Sequence, residues 1–269
     1  MKTVVITGSA RGFGFEMAKL FAEKDFNVVL CDISDSALSA AKAELDNKSP
    51  KGKIVGCLCD ITKEEDVKSM IDEVVRGLGS IDYWINNAGV NQPNKAIWEL
   101  SKNEIDRLID IDLKGTILCS KLIMPVMIKQ GSGQIFNVEG YGSNDAKMLG
   151  LSIYGTTKRA ITYFTEALAK EAEELHTNVC VGKITPGIMI TNFINTSLGD
   201  GEHIELDEKT KKVYNILGDY PETIAKFMVD KIVANTKNNV KFTWLTTARA
   251  SYRFMTSPFN KKDYFSNNK

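Results

Sequence analysis

The sequence carries no net charge: 34 Lys and Arg balance 34 Asp and Glu across 269 residues. That balance removes the whole-molecule field that draws a protein to nucleic acid or to an anionic membrane. Long apolar runs are missing too, and no stretch approaches the roughly 20 residues of a membrane-spanning helix. Only two histidines occur, His176 and His203, and none of the five cysteines forms a CxxC pair. No metal site is therefore expected. The cysteines (Cys31, Cys57, Cys59, Cys119 and Cys180) are odd in number and lie mostly in apolar runs, which implies buried, reduced thiols. The first apolar run, Val4-Val5-Ile6, is short and leads into a glycine turn, so it reads as a strand and not a signal peptide. A cytoplasmic chain is the expectation.

What is present fits a globular α/β protein. The chain is 43% hydrophobic and 25% charged, wrong for disorder or a coiled coil, and its length can bury a sizeable core. Short apolar runs at Val28-Val29-Leu30, residues 54–59, Tyr83-Trp84-Ile85, residues 135–138 and Val179-Cys180-Val181 alternate with helical patterns. Val67, Met70, Ile71, Val74 and Val75 recur at helical spacing. Ile105, Leu108 and Ile109 begin another helical face that continues through Ile117, Leu118 and Leu122. Further helices are expected over residues 37–45 and 154–174 and around Ile224 to Ile232, with a last strand over 240–245. This alternation predicts one domain over residues 1–269: a doubly wound, Rossmann-like parallel sheet with helices on both faces. The stretch 191–220 is polar and irregular and reads as a flexible substrate loop, or else as a plain surface insertion.

Gly8-Ser-Ala-Arg11-Gly12-Phe13-Gly14 lies between the first strand and the first helix. Glycines there permit a tight turn and close backbone approach, and the helix N-terminus offers N–H groups to a pyrophosphate. Asp32 closes the second strand, where a carboxylate can accept from ribose hydroxyls or cap the next helix. Tyr154 and Lys158 are four apart on a helix and share a face. Such a pair can be a mere surface pair. Alternatively, the ammonium stabilises phenolate and lowers a pKa that is ordinarily near about 10.

Five motifs occur in one order: Thr7-Gly-x-x-x-Gly-x-Gly14, Asp60 after the third strand, Asn86-Asn87-Ala88-Gly89 after the fourth, Tyr154-x-x-x-Lys158, and Pro186-Gly187. In that order the chain resembles the short-chain dehydrogenase/reductase family over roughly residues 2–192. The resemblance implies a nicotinamide cofactor. It places Asp60 and Ile61 near the adenine and Asn87, Ala88 and Gly89 along the cofactor. Lys158 would hold the nicotinamide ribose, and Ile188 and Thr191 would reach the carboxamide. Tyr154 becomes the acid/base. Asp32, followed by the uncharged Ile33, favours NAD, and Arg11 points to NADP as the alternative. Association into a homodimer or homotetramer is also implied.

Two positions depart from the family. Its substrate-orienting serine falls where this chain has Asn137-Val-Glu-Gly-Tyr-Gly-Ser143, with glycine or tyrosine in its place; Ser143 is the nearest substitute and Ser152 the other. Its catalytic asparagine is replaced by Asp112, which either supports a proton relay beside Lys158 or is structural. Phe136-Asn-Val-Glu-Gly-Tyr-Gly-Ser143, Tyr154-Gly-Thr-Thr-Lys-Arg159 and Trp84-Ile-Asn-Asn-Ala-Gly89 resemble the chlorophyll b reductase branch. That likeness implies an oxidoreductase for an alcohol/carbonyl pair on a large, flat, apolar substrate, either a hydroxysteroid-like alcohol or a tetrapyrrole carbonyl. The composition, rich in Lys, Asn and Ile, looks unlike a plastid protein. A silent nucleotide-binding sensor or scaffold is the reading from another class. The tail over 248–269 is aromatic and basic, and is expected to pack on its own or a neighbouring subunit, cover the site, or touch a membrane.

Overall fold

Strand β1 (Thr3–Thr7) is buried along its whole length, as a strand covered by helices on both faces must be. The computed structural model describes residues 1–190, 208–259 and 262–265. The other strands are β2 (Asn27–Asp32), β3 (Ile54–Leu58), β4 (Tyr83–Asn86), β5 (Gly133–Val138), β6 (Val179–Thr185) and β7 (Val240–Thr243). They pair in parallel in the order β3-β2-β1-β4-β5-β6-β7. The order reverses between β1 and β4, which opens a crevice at the carboxyl ends of these two strands.

The helices are α1 (Gly12–Glu23), α2 (Asp35–Asp46), α3 (Glu64–Leu78), α4 (Lys102–Leu108), α5 (Thr116–Gln130), α6 (Ser152–Glu174), α7 (Glu208–Leu217), α8 (Pro221–Val233) and α9 (Thr247–Thr256). Side chains of a strand alternate between its faces, so β1 feeds two cores. Val4 and Ile6 join Met17, Phe21, Ile224 and Met228 on one side. Val5 joins Met70, Ile71, Trp84, Ile123 and Met127 on the other. Trp84 is fully buried in β4, and truncating it to Ala would cost about 3–5 kcal/mol. All five cysteines are free, and four of them are buried. No helix among the described residues is long and apolar enough to cross a membrane.

Two expectations change, and for the tail one of the stated alternatives is realised. The single helical face expected from Ile105 to Leu122 is broken: α4 stops at Leu108, and Ile109–Gly115 forms a wider, π-type turn before α5 begins. Part of the irregular stretch is regular, since residues 208–217 form α7; residues 191–207, with Thr191, lie outside the described residues. The tail is also helical at first, and it packs on its own chain. Arg253 pairs with Asp219 at 2.7 Å, the Tyr264 hydroxyl donates to the Gly218 carbonyl at 3.0 Å, and Phe265 meets the Tyr214 ring edge-on.

Candidate active site

The carboxyl ends of β1, β2 and β4 build a cradle from main-chain contacts. Gly8 has φ +62°, and a Cβ there would sit 2.7 Å from the Cα of Ala88, so only glycine lets this turn close on the loop after β4. Thr7 Oγ1 accepts from the backbone N–H of Asn87 and of Ala88, each at 3.0 Å. Asn87 Nδ2 returns two bonds, to the carbonyls of Thr7 and Gly8. Asn87 therefore braces the glycine turn. Gly12, Phe13 and Gly14 open α1, and Arg11 before them is exposed.

Asp32 ends β2 with its carboxylate beside that turn: Oδ2 accepts from Ala10 N–H at 3.3 Å and Oδ1 from Ser34 N–H at 3.2 Å. The capping of α2 falls to Ser34, whose hydroxyl accepts from Ala37 N–H. Ile33 and Leu58 are large apolar side chains left 66% and 60% exposed. With Cys57, Asp60 and Met70 they line an open cleft of about 580 Å³. A flat base suits these two apolar side chains. Asp60 itself is turned onto its own loop, accepting from the N–H and hydroxyl of Thr62. Ile61 is buried against Gly115. Turn, carboxylate and apolar cleft together fit a dinucleotide.

Helix α6 starts without a local side-chain cap. Gln92, buried in the loop after β4, supplies one from a distance. Its Oε1 accepts from the N–H groups of Ile153 (2.9 Å) and Tyr154 (3.0 Å), which are orphan donors of a first turn. That contact fixes where the tyrosine begins. Its ring then reaches back to the turn after β5, where Gly140 lies against it: a Cβ at 140 would lie 2.3 Å from the Tyr154 hydroxyl. Ser143 is buried in the following turn, where its N–H donates to the Gly140 carbonyl and its own carbonyl accepts from Arg159. Ser152 is exposed at the first residue of α6.

Lys158 lies one turn along, its ammonium 5.3 Å from the Tyr154 ring centre and 3.0 Å from Asp112 Oδ2. Both partners are almost completely buried. Asp112 sits in the π-type turn, a geometry frequent at functional sites. Its Oδ1 accepts from Val90 N–H at 2.8 Å, in the loop that begins with Gly89. The carboxylate thus ties the lysine to the cofactor cradle. Burial pushes the Lys158 ammonium down, but Asp112 and Tyr154 together outweigh it and leave the pKa above its ordinary value. Burial raises the Asp112 carboxyl, and Lys158 and Val90 N–H pull it back.

The phenol behaves differently from the sequence expectation. Burial raises the Tyr154 pKa, Lys158 opposes the rise, and Asp112 and Tyr214 reinforce it. The expected lowering fails because burial outweighs the lysine's charge, and the carboxylate of Asp112, 3.0 Å from that ammonium, adds to the rise. Tyr154 is a neutral phenol at neutral pH.

Pro186 and Gly187 follow β6, and the Ile188 carbonyl accepts from Asp219 N–H at 3.2 Å. Gln92, Tyr214 and Asp219 escaped the sequence reading. Each acts through a partner more than 20 residues away, and two of them fall in the irregular segment 191–220. Among the described residues no cluster of ligands could hold a metal.

The short chain dehydrogenase family matches residues 2–200. The chain belongs to that family. It is 31% identical over 280 residues to "Probable chlorophyll(ide) b reductase NYC1, chloroplastic" of Arabidopsis thaliana, an alignment covering 98% of this chain and 54% of that protein. The chain thus spans about half the length of this relative. It is also 31% identical to "Carbonyl reductase family member 4" of Xenopus tropicalis, covering 84% of this chain and 88% of that one. The crystal structure of a 3-ketoacyl-(acyl-carrier-protein) reductase from Brucella melitensis superposes with a TM-score of 0.75. It is 23% identical and covers 89% of this chain and 96% of its own, and its likeness is one of fold.

Proposed function

We propose that the chain reduces a carbonyl on a large, flat, apolar substrate with a reduced nicotinamide dinucleotide. One observation carries the reading: a neutral Tyr154 phenol at the open end of the sheet, with the buried Lys158–Asp112 pair behind it. A neutral phenol is a proton donor. The glycine turn and Asp32 would hold the dinucleotide, which would supply a hydride to the carbonyl carbon. Tyr154 gives its hydroxyl proton to the carbonyl oxygen, so a C=O becomes a CH–OH. Lys158 stabilises the phenolate left behind, each pKa unit being about 1.4 kcal/mol. Asp112 holds Lys158 in reach, and Gly140, lacking a Cβ, leaves room for the hydroxyl.

A tetrapyrrole carbonyl is favoured over a hydroxysteroid, because relatives aligned over nearly the whole chain carry the chlorophyll(ide) b reductase name. The surroundings suit such a substrate. Trp98, Tyr141, Met148 and Leu149 are exposed on the loops after β4 and β5, which meet where Gly150 abuts Asn94. NAD is favoured over NADP, since the Asp32 carboxylate repels a further phosphate and Ile33-Ser34 supplies no cation against it. Oxidation of NADH and NADPH with tetrapyrrole aldehydes, steroid ketones and aliphatic ketones tests the reading. Turnover of the tetrapyrrole is expected, and turnover of steroids alone overturns the substrate class. The missing serine, with glycine or tyrosine where it is expected, favours a second reading as a silent sensor. Tight cofactor binding with no turnover of any carbonyl would establish it.

A further inference from the structure

Beside Gly140 lies a charge that the proposed reaction does not use. Glu139 is the first residue after β5, and its side chain is fully buried. Three elements converge on it. Oε1 accepts from the Thr162 hydroxyl of α6 at 2.7 Å. Oε2 accepts from the Thr185 hydroxyl at the end of β6 at 2.6 Å and pairs with Lys241 Nζ of β7 at 2.7 Å. Its backbone N–H continues the sheet to the Ile184 carbonyl at 2.7 Å.

The positions of those partners matter. Thr162 stands one turn beyond Lys158, and its hydroxyl lies 3.1 Å from the Lys158 carbonyl. Thr185 immediately precedes Pro186-Gly187. Gly140, next in the chain, is in contact with the Tyr154 hydroxyl. One carboxylate therefore fixes the helix of the proton donor, the backbone under that donor, and the turn after β6. A buried carboxylate is costly unless it is paired and hydrogen-bonded, and this one has both kinds of partner. A hydrophobic residue of similar size would fill the space but could not join these three elements by directed bonds.

We infer that Glu139 is a positioning residue for Tyr154, holding α6, β6 and β7 in register on the carboxyl end of β5. The inference rests on Tyr154 as the proton donor, and its test keeps the two apart. Glu139→Gln and Lys241→Met are compared with wild type in steady-state reduction, in NADH binding by fluorescence titration, and in amide hydrogen exchange.

For Glu139→Gln, kcat is expected to fall at least tenfold while the NADH Kd changes less than threefold. Lys241→Met, which leaves both threonine bonds, is expected to lose less than fivefold in kcat. Exchange should quicken together in the peptides holding residues 139–143, 154–162 and 183–188, and remain unchanged in β1 and β2. A Glu139→Gln enzyme with kcat within twofold of wild type overturns the inference, whatever its melting temperature. So does exchange that quickens only at 139–143. Should the wild type reduce no carbonyl, the function fails, and the exchange pattern still decides whether Glu139 couples the three elements.

Discussion

Around β1 and the start of β4 the site is held by hydrogen bonds to the main chain; around β5 and α6 it is held by buried charges. Thr7, Asn87 and Asp32 each spend their side chains on backbone groups of neighbouring loops. In the other half Asp112 pairs with Lys158, both of them buried, and the buried Glu139 carboxylate pairs with the partly exposed Lys241. The energetic consequence differs. A neutral hydrogen bond contributes about 0.5–1.5 kcal/mol net. Removing one partner of a buried ion pair costs about 3–5 kcal/mol, because the other charge is left uncompensated. The cradle should therefore yield gradually to substitution, and the catalytic half abruptly.

The sharpest contrast comes from the proton donor. Tyr154→Phe is expected to lower reductive turnover at least about 100-fold, the lower end of general acid effects, with cofactor affinity unchanged. Turnover within about threefold of wild type removes Tyr154 from its role. The raised phenol also sets a pH dependence. Because its folded pKa lies above the free value of about 10, the donor form persists through neutrality, and reductive kcat should be flat from about pH 6 to 9. The same shift stabilises the fold below about pH 10, and that contribution is lost as pH rises through the folded value. A loss of reductive kcat between about pH 7 and 8 would contradict the raised phenol.

Next in size is the buried pair. Asp112→Leu leaves Lys158 charged and unpaired, and should cost about 3–5 kcal/mol in urea unfolding together with most of the turnover. Asp112→Asn should keep the fold and much of the activity. Equal activity of the leucine variant and the wild type would make Asp112 purely structural.

A serine at position 140 is expected to do harm. A Cβ at position 140 would stand 2.3 Å from the Tyr154 hydroxyl, so Gly140→Ser should displace the ring and lower kcat about tenfold, or roughly 1.4 kcal/mol of transition-state stabilisation. An enzyme made faster by this change would show that Gly140 is a lost serine and not an accommodation.

The smallest effect belongs to the cradle. Asp32→Ala should erode an NAD preference of about fivefold, near 1 kcal/mol, and adding Ile33→Arg should reverse it. Steady-state kinetics with both cofactors measure this. A wild type preferring NADP about tenfold would show that Arg11 outweighs Asp32.

The cradle was legible because its signals are local. Gly8, Gly12 and Gly14 sit between an apolar run and a helical pattern, and Asp32 closes the next run. Tyr154 and Lys158 could be paired because four residues make one helical turn. The break of the 105–122 pattern into α4, a π-type turn and α5 was hidden, since an extra residue in a turn leaves hydrophobic spacing nearly unchanged. Gln92 gave no signal at all. Its role exists only because the loop after β4 lies against the first turn of α6.

The sequence by itself determined the alternation of buried strands and amphipathic helices, the glycine turn, and the shared face of Tyr154 and Lys158. These follow from backbone sterics and from periodicities of two and 3.6 residues. Tertiary structure alone decided that Asp112 claims the Lys158 ammonium, that Gly140 lies against the Tyr154 hydroxyl, and that Glu139 joins three elements. Those outcomes turn on distances of about 3 Å between residues far apart in the chain. Burial of the phenol and a carboxylate at that range together set the direction of its proton affinity.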